Sequence, residues 1–389
     1  MGCSGPSALA VEGNKKNDKE ELNSINININ RENENNSIKE NNNTINNIKV
    51  KDNKNIENNN IPAKPSINEE INNRIIENKK KIQITKDLLS IENNENKVKE
   101  INMNINNNLI LMLQINLEDI NKDIYFLDNF AYKDDKADKK ERGFMKEIQK
   151  IKNKIKLNIT YPDNKKEENL AFNNKFKPKY EGIYLIEIEI PEKITDCSYI
   201  FYGCTNLIDA DLSNFDFSDV LNINDMFNYC INIKKIKFPQ KNIENIINMS
   251  YMFNYCKNLS KIELSNFNTE KVVSMAGMFQ HCEQLKDANL STFNAKNVTQ
   301  FSCMFNNCYN LTKISFPKNF NAEKVMFMAW MFYGCEKLEQ IDLTSFNFDN
   351  VYEKNNMFED CDNLREIKVK EKYINLLKTF NKKFADIIK

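Results

Sequence analysis

Seven cysteines mark a repeat that runs through the carboxyl-terminal half of the chain. They recur every 26 residues, with one step of 27, and nearly every one closes a Met-Phe-x-x-Cys phrase. The seven are Cys204, Cys230, Cys256, Cys282, Cys308, Cys335 and Cys361. A fixed period of this length indicates one short unit stacked on copies of itself, because a single copy cannot bury its own apolar face. The pattern therefore predicts an extended functional face rather than an enclosed pocket.

The repeat that covers residues 252–277 shows the pattern most clearly. Within it, Leu259, Ile262 and Leu264 form an L-x-x-L-x-L phrase, which predicts a short parallel strand at about 261–264. A return segment follows the predicted strand, and a turn carries the Met-Phe phrase and the cysteine. Ordering 26 residues costs roughly 40 kcal/mol, more than the inward side chains of one repeat return, so only the stack is expected to fold.

Two phrases of this repeat carry a family resemblance. They are Leu264-Ser265-Asn266-Phe267-Asn268-Thr269 and Asn248-Met249-Ser250-Tyr251-Met252-Phe253. The region from about Asp196 to Val369 resembles the BspA-like leucine-rich-repeat family. The resemblance implies an α/β repeat fold, in which short parallel strands stack into a leucine-rich-repeat solenoid. Its named members are bacterial surface adhesins, so it also implies binding of extracellular or host proteins as one function.

Composition divides the chain into four regions. Residues 1–108 consist almost entirely of Asn, Lys, Glu and Ile without a regular apolar period, which predicts a disordered arm. Apolar runs in residues 109–190 predict a small β-rich module that caps the first repeat, and residues 191–370 hold the predicted solenoid. Residues 371–389 carry apolar side chains at helical spacing, which predicts an amphipathic helix that closes the last repeat or, alternatively, lies on a membrane.

The first residues resemble the start of dually acylated proteins, with myristate on Gly2 and palmitate on Cys3. Pro6 stands where that pattern has Ser or Thr, and the alternative is an ordinary start without acylation. The start has neither the basic region nor the apolar core of a secretion signal, and no apolar run is long enough to span a membrane. We therefore expect a cytoplasmic protein that acylation would hold at the inner face of the plasma membrane.

This chain contains few of the residues that catalysis or cofactor binding usually requires. It has a single histidine, His281, and 8 glycines, and it lacks the nucleophile and phosphate-loop motifs of common enzymes. Zinc sites use closely spaced cysteine pairs, whereas these cysteines occur once per repeat, so we expect buried structural residues with free thiols. The sequence thus predicts a protein without enzymatic activity, cofactor, metal or small-molecule substrate.

His281 and Trp330 each occupy a position whose residue type varies from repeat to repeat. The variable position of His281 predicts exposure to solvent. Trp330 precedes a Met-Phe phrase, where it would either pack into the stack or form a binding anchor.

Two outward positions in each predicted strand form a surface that we name the strand face. Its residues are Asp209, Asp211, Lys235, Lys237, Lys261, Glu263, Asp287, Asn289, Lys313, Ser315, Gln340, Asp342, Glu366 and Lys368. The charges of these residues alternate in sign, and no row of aromatic side chains accompanies them. The net charge of the chain is zero. These features disfavour binding of nucleic acid. We expect a monomer that binds a protein of mixed charge here; the alternative is a solvated face without a partner.

Overall fold

The structure is a computed structural model that describes residues 107–129, 142–241, 243–318, 320, 322–380 and 382–389. The predicted acylation site at Gly2 and Cys3 lies outside the described residues, as does the rest of the predicted arm up to residue 106.

The amino-terminal module is built on an antiparallel sheet in the order β4-β3-β6-β1. Its elements are β1 (Asn108–Ile115), β2 (Ile124–Tyr125), α1 (Gly143–Ile151), β3 (Lys156–Thr160), β4 (Lys166–Leu170), β5 (Lys175–Phe176) and β6 (Gly182–Glu189). Alternate residues of β1 and β6 are buried, as the apolar alternation of these segments predicts. Strand β1 begins at Asn108, a residue that the sequence analysis had placed in the arm.

The module and the first repeat share one sheet. Strand β7 (Leu207–Asn214) of the first repeat pairs with β1 in antiparallel fashion, and β8 (Lys235–Lys237) of the second repeat pairs with β7 in parallel. Beside this junction, Arg142 forms an ion pair with the buried Asp128 at 3.2 Å. Strand β1 therefore covers the strand edge that the first repeat would otherwise expose.

The predicted strands do not pair continuously along the stack but form separate parallel pairs. Strands β9 (Asp287–Asn289) and β10 (Lys313–Ser315) form one pair, and β11 (Gln340–Asp342) and β12 (Glu366–Lys368) form another. Residues 261–264, the strand predicted from the most regular repeat, are all described and form no strand. Repeats two and three instead pair nearby through Ile243 and Phe267, beyond Pro239, which has no N–H to donate.

A continuous backbone ladder joins the repeats through the segments that carry the Met-Phe phrase. At the first junction the N–H groups of Cys197, Tyr199, Phe201 and Gly203 donate to the carbonyls of Asn222, Asn224, Met226 and Asn228, and the Leu221 N–H donates to the Thr195 carbonyl. Equivalent bonds, 2.7 to 3.2 Å long, recur at each later junction down to Gly334 and Glu359. We name this set of bonds the Met-Phe ladder.

Two residues in each segment of the Met-Phe ladder have the left-handed backbone conformation. They are Tyr199 and Gly203, Asp225 and Tyr229, Tyr251 and Tyr255, Gly277 and His281, Cys303 and Asn307, Trp330 and Gly334, and Asn356 and Asp360, with φ between 52° and 68°. The N–H groups of alternate residues donate along the stack, and several of those between them close turns within the repeat. The described residues between 191 and 370 form no helix, so the α/β class implied by the resemblance is corrected to strands and turns.

Side-chain oxygens close many of the turns between these segments. The N–H groups of Ser198 and Ser250 donate hydrogen bonds to the Asp196 and Asn248 side-chain oxygens at 2.9 and 3.0 Å. Asn268 accepts the N–H of Glu270 in the same way at 3.0 Å. Asn, Asp and Ser favour such turns because their short side chains reach the backbone two residues on, which accounts for their frequency in the repeats.

The carboxyl-terminal segment is divided rather than being the single helix predicted for 371–389. Helix α2 (Ile374–Phe380) lies between two 3₁₀ segments, Glu371–Tyr373 and Lys382–Ile387. Ile388 then forms a parallel bridge with Ile367 of β12. The chain returns to an extended conformation there because the edge of the last strand needs backbone partners that a helix cannot supply.

Gly277 offers a test of how closely the left-handed positions pack. A Cβ atom at Gly277 would lie 2.4 Å from two ring atoms of Tyr251 in the preceding repeat. The equivalent Trp330 has φ of 55° with a full side chain, so the ring rather than the backbone is the obstacle. We expect Gly277→Ala to lower the free energy of unfolding by about 1–3 kcal/mol in urea denaturation.

In a Tyr251→Ala background the same substitution should cost clearly less, because the obstructing ring is gone. A double-mutant cycle measured by the same denaturation gives the coupling between the two sites. An equal cost in both backgrounds would show that backbone strain, and not the Tyr251 ring, excludes a side chain at residue 277.

Candidate protein-interaction surfaces

The strand face lies where the predicted alternation places it, although only part of it belongs to regular strands. In β8, β9 and β11 both outward residues are exposed around one buried residue. Lys261 and Glu263 are also exposed, but they stand in the segment that forms no strand. The strand face is therefore accessible in part, since Asp209, Asp211, Ser315 and Glu366 are half-buried, and three separate strand pairs carry it instead of one continuous sheet.

Several acidic and amide side chains of the strand face act within their own repeat. Asp211, Glu263, Asn289 and Asp342 each accept the N–H of the Ser or Thr two residues later, at 2.9 to 3.1 Å. These hydrogen bonds form the turn that ends the strand segment. The recurrence of acidic or amide residues at this position thus has a structural cause that needs no partner.

Electrostatic effects on the strand face are local. Burial raises the pKa of Asp209. Burial acts in the same direction on Asp211, but hydrogen bonds from Ser213 and Lys237 outweigh it, and the net effect is a lowered pKa. The Lys237 ammonium lies 3.0 Å from the Asp211 carboxylate of the preceding repeat. Such pairing reduces the charge that this part of the strand face offers to a partner.

A second surface consists of one side chain from each of six successive repeats, exposed in five of them and half-buried in the sixth, Thr299. We name it the apolar column; its residues are Leu221, Ile247, Val273, Thr299, Met326 and Tyr352. The five apolar members are 37% to 62% exposed. They make up five of the seven large apolar side chains that are exposed in the described part of the chain. Aligned exposure of this kind differs from the scattered single residues of ordinary surfaces and marks interaction sites.

The apolar column stands on the Met-Phe ladder. The N–H of each column residue after Leu221 donates to the carbonyl of the column residue in the repeat before it, from Ile247 to Leu221 at 2.8 Å through to Tyr352 to Met326 at 3.2 Å. A buried Val or Ile precedes every column residue, as Val272 precedes Val273. The column is therefore held on hydrogen-bonded backbone, which lowers the entropy lost when a partner binds.

Sequence reasoning missed the apolar column although a signal for it was present. Each repeat has two adjacent residues, Val or Ile followed by an apolar residue or Thr, before the Met-Phe phrase. Two neighbouring apolar residues in an irregular segment do not reveal which one is buried, because that depends on the turn between them.

Aromatic side chains flank the apolar column at its carboxyl-terminal end. The rings of Phe327 and Tyr352 make an edge-to-face contact with centroids 4.9 Å apart. Trp330 is half-buried in its left-handed position, so it combines packing with a partly accessible ring. Trp and Tyr are the residues most enriched among those that dominate binding energy at protein interfaces.

His281 belongs to an aromatic stack and is half-buried, whereas its variable position predicted exposure to solvent. Its ring lies 4.1 Å from that of Tyr255, which in turn stacks on Tyr229 at 4.5 Å. Burial lowers the pKa of His281 from 6.5 to about 4. The imidazole is therefore neutral at pH 7 and acts as an aromatic member of the stack.

The seven cysteines of the repeat are buried and carry free thiols. From Cys230 to Cys361 each thiol donates to the carbonyl of a phenylalanine in the preceding repeat, at 2.9 to 3.2 Å. Burial raises the pKa of these thiols, which keeps them protonated and poor as metal ligands. Within the described residues, no three His, Cys, Asp or Glu side chains are grouped so that they could hold a metal ion.

The amino-terminal module contains a shallow cavity of about 650 Å³. Its lining includes Lys152, Lys154 and Lys156 together with Leu170 and Phe172. Glu192 lies 2.6 Å from Lys154 and Glu189 lies 3.0 Å from Lys156, so two of these lysines are neutralised. The cavity is thus less suited to an anion than its lysines alone indicate.

The single histidine of the chain allows the aromatic stack to be tested. NMR titration of the only imidazole should give a pKa near 4, and a value near 6.5 would place the ring in solvent. Because the folded pKa lies below the unfolded value, the stabilisation by neutral His281 is complete above about pH 6.5 and is lost as the pH falls toward 4. His281→Tyr, which matches Tyr229 and Tyr255, should therefore lose less stability than wild type between about pH 7 and pH 4.5 in urea denaturation.

Comparison with known protein families agrees with the repeat geometry. A family model described as "Mycoplasma protein of unknown function, DUF285" matches residues 185–238 and 232–317. A model described as "BspA type Leucine rich repeat region", in six copies, matches residues 278–385. No curated protein matches the chain. None of the helices in the described ranges is both long and apolar enough to cross a membrane.

The two family matches together extend from residue 185 to residue 385, which includes all seven cysteines and the whole apolar column. Leucine-rich-repeat regions are generally non-enzymatic, and their extended faces suit protein interaction or adhesion. The resemblance that the repeat phrases indicated is thereby confirmed: the chain carries leucine-rich repeats of the BspA type, matched over residues 278–385.

Proposed function

We propose that this chain is a non-enzymatic protein-interaction scaffold whose repeats form a continuous solenoid. The observation that carries the proposal is the apolar column, from Leu221 to Tyr352, on an uninterrupted Met-Phe ladder. A row of exposed apolar side chains lowers solubility unless another molecule covers it. Covering it is a function that an extended array can perform without catalytic groups.

The apolar column is preferred over the strand face as the main contact surface. Four strand-face residues are already engaged in turns of their own repeats, and its charges alternate in sign. At roughly 25 cal/mol per Å², covering about 300 Å² of apolar surface gives about 7 kcal/mol, which is comparable to the cost of association. A stable complex must therefore also use neighbouring surface, and Trp330 and the strand face remain secondary contacts in this proposal.

The amino terminus supplies the second part of the proposal. Acylation of Gly2 and Cys3 would tether a cytoplasmic scaffold to the inner face of the plasma membrane, with the arm up to residue 108 as the connection. One acyl chain alone binds a membrane only marginally, so both sites are required for stable attachment. The scaffold would then meet partners that reside at that surface.

The family match favours a second function, that of a surface adhesin which binds extracellular or host proteins. The two functions place the repeats on opposite sides of the plasma membrane. Protease treatment of intact cells separates them, because an adhesin is digested while an inner-face scaffold is protected. Digestion would replace the scaffold with the adhesin as the function of the same surface.

The interaction surface is tested by charge substitutions in tagged full-length chain expressed in its own cells and cross-linked before purification. We expect Ile247→Lys combined with Val273→Lys to lose a defined set of partners, because two lysines interrupt the apolar column at its centre. Leu117→Lys is the matched control, since Leu117 is also exposed but lies in the amino-terminal module. Lys261→Glu combined with Asp287→Lys changes the strand face instead. Loss of partners only in this last variant would assign the contact to the strand face.

Membrane fractionation tests the tether. We expect wild type to pellet with membranes and both Gly2→Ala and Cys3→Ser to become soluble, because each substitution removes one of the two acyl attachments. Solubility of all three proteins would contradict the tether. Retention of all three in the pellet would assign membrane contact to another segment, of which the carboxyl-terminal residues 371–389 are the first to test.

A further inference from the structure

The spacing of the apolar column contains information about what covers it. The phenylalanines of the Met-Phe phrases stack in a second, internal column on the same ladder, with ring centroids 4.8 to 5.9 Å apart from repeat to repeat. An α-helix advances about 5.4 Å per turn. One turn of a helix laid along the stack therefore corresponds to one repeat.

From this match we infer that the apolar column binds an amphipathic α-helix of a partner protein, laid along the stack with one apolar side chain per repeat. The inference rests on the proposed interaction function and specifies its partner. The apolar stripe of such a helix has residues at i, i+4, i+7 and i+11, and each of these would contact the column residue of the next repeat. A helix of about 20 residues spans about 30 Å, enough for all six column residues.

An extended peptide fits the column less well. Its side chains on one face are separated by about 6.6 to 6.8 Å, which exceeds the repeat spacing by roughly 1 Å or more at every step. After about four repeats, the side chains of an extended peptide are displaced from the column residues by nearly the distance between two repeats. The helical advance of about 5.4 Å per turn lies within the 4.8 to 5.9 Å range of the phenylalanine stack, so a helix follows the repeats more closely than an extended chain does.

A second copy of this chain has the same spacing but the wrong distribution of side-chain size. The smallest column residues, Val273 and Thr299, lie at its middle, and the larger Leu221 and Tyr352 lie at its ends. A twofold pairing of two columns would bring small residues against small residues at its centre. The centre is where stable interfaces are most tightly packed, so self-pairing leaves a gap that a helix with large central residues fills.

The surface beside the column leaves room for a helix. Three residues beyond each column residue, toward the Met-Phe phrase, stands a side chain that is small in the middle repeats: Ser250, Ala276 and Ser302 are half-buried, and Ala329 is buried. A helix with its side chains is about 10 Å wide, so it would cover both rows. Phe327 and Trp330 lie at the carboxyl-terminal end of this surface, where they could hold one end of the helix.

The test uses two synthetic peptides of about 20 residues and identical composition, measured by fluorescence anisotropy against the purified full chain. In the striped peptide, leucines occur at i, i+4, i+7, i+11, i+14 and i+18 among Glu, Lys and Ala; in the permuted peptide the same leucines form no helical face. We expect the striped peptide to bind at least tenfold more tightly and to gain helical circular dichroism when bound. Val273→Lys should weaken its binding at least tenfold, while Leu117→Lys should leave it unchanged.

Some outcomes contradict only the helical partner, and others contradict the apolar column as an interaction surface. If both peptides bind equally well and Val273→Lys weakens the binding of both, the apolar column remains an interaction surface but the inference of a helical partner is wrong. No measurable binding of the striped peptide would also overturn the helix. Striped-peptide binding that Val273→Lys does not change would overturn the column itself. Self-association in sedimentation that Val273→Lys abolishes would assign the column to a second copy. Unchanged thermal unfolding of Val273→Lys verifies that the variant is folded.

Discussion

Backbone hydrogen bonds between equivalent residues of successive repeats are the interaction on which the rest of this structure depends. The Met-Phe ladder runs without a break through all seven repeats, whereas the strands of the L-x-x-L-x-L phrases pair only in separate groups. Two left-handed residues per repeat are the conformational cost of this arrangement, since non-glycine residues disfavour positive φ. The cost is offset because alternate N–H groups find partners in the next repeat.

Side chains follow from the ladder rather than determine it. Each Met-Phe segment places a phenylalanine and a cysteine at fixed positions, so the rings stack and the thiols reach the carbonyls of the preceding repeat. The Phe227 carbonyl, for example, accepts both the Cys230 N–H at 3.0 Å and the Cys256 thiol at 3.2 Å. A small, apolar side chain with a weak donor fits this position, which explains the cysteine without metal or redox chemistry.

The same ladder separates two kinds of surface. On the strand segments, polar residues close their own turns and alternate in charge, so much of their chemistry serves the fold. On the ladder segments, one apolar residue remains exposed in each of five repeats, on a backbone that neighbouring repeats hold in place. A partner that contacts the second surface gains apolar burial and finds little to reorder. The proposed scaffold function and the helix inferred as its partner both rest on this difference.

The sequence by itself determined the period, the burial of the cysteines and the family resemblance of the repeats. These are recoverable because a strict spacing of Met-Phe-x-x-Cys and L-x-x-L-x-L phrases admits only stacked units. It also indicated the outward residues of the strand segments, because alternation survives where a strand is short. It did not predict the aromatic stack of Tyr229, Tyr255 and His281, whose residue types differ between repeats although their conformation is shared.

Tertiary structure alone decided which segment carries the continuous ladder, which of two adjacent apolar residues faces outward, and how the last segment closes the stack. The physical reason is the same in each case. Hydrogen bonds of the Met-Phe ladder join residues 25 to 27 apart, and the conformation of a turn fixes the direction of its side chains. Neither property has a local pattern in the sequence, so the apolar column from Leu221 to Tyr352 became visible only when the repeats were stacked.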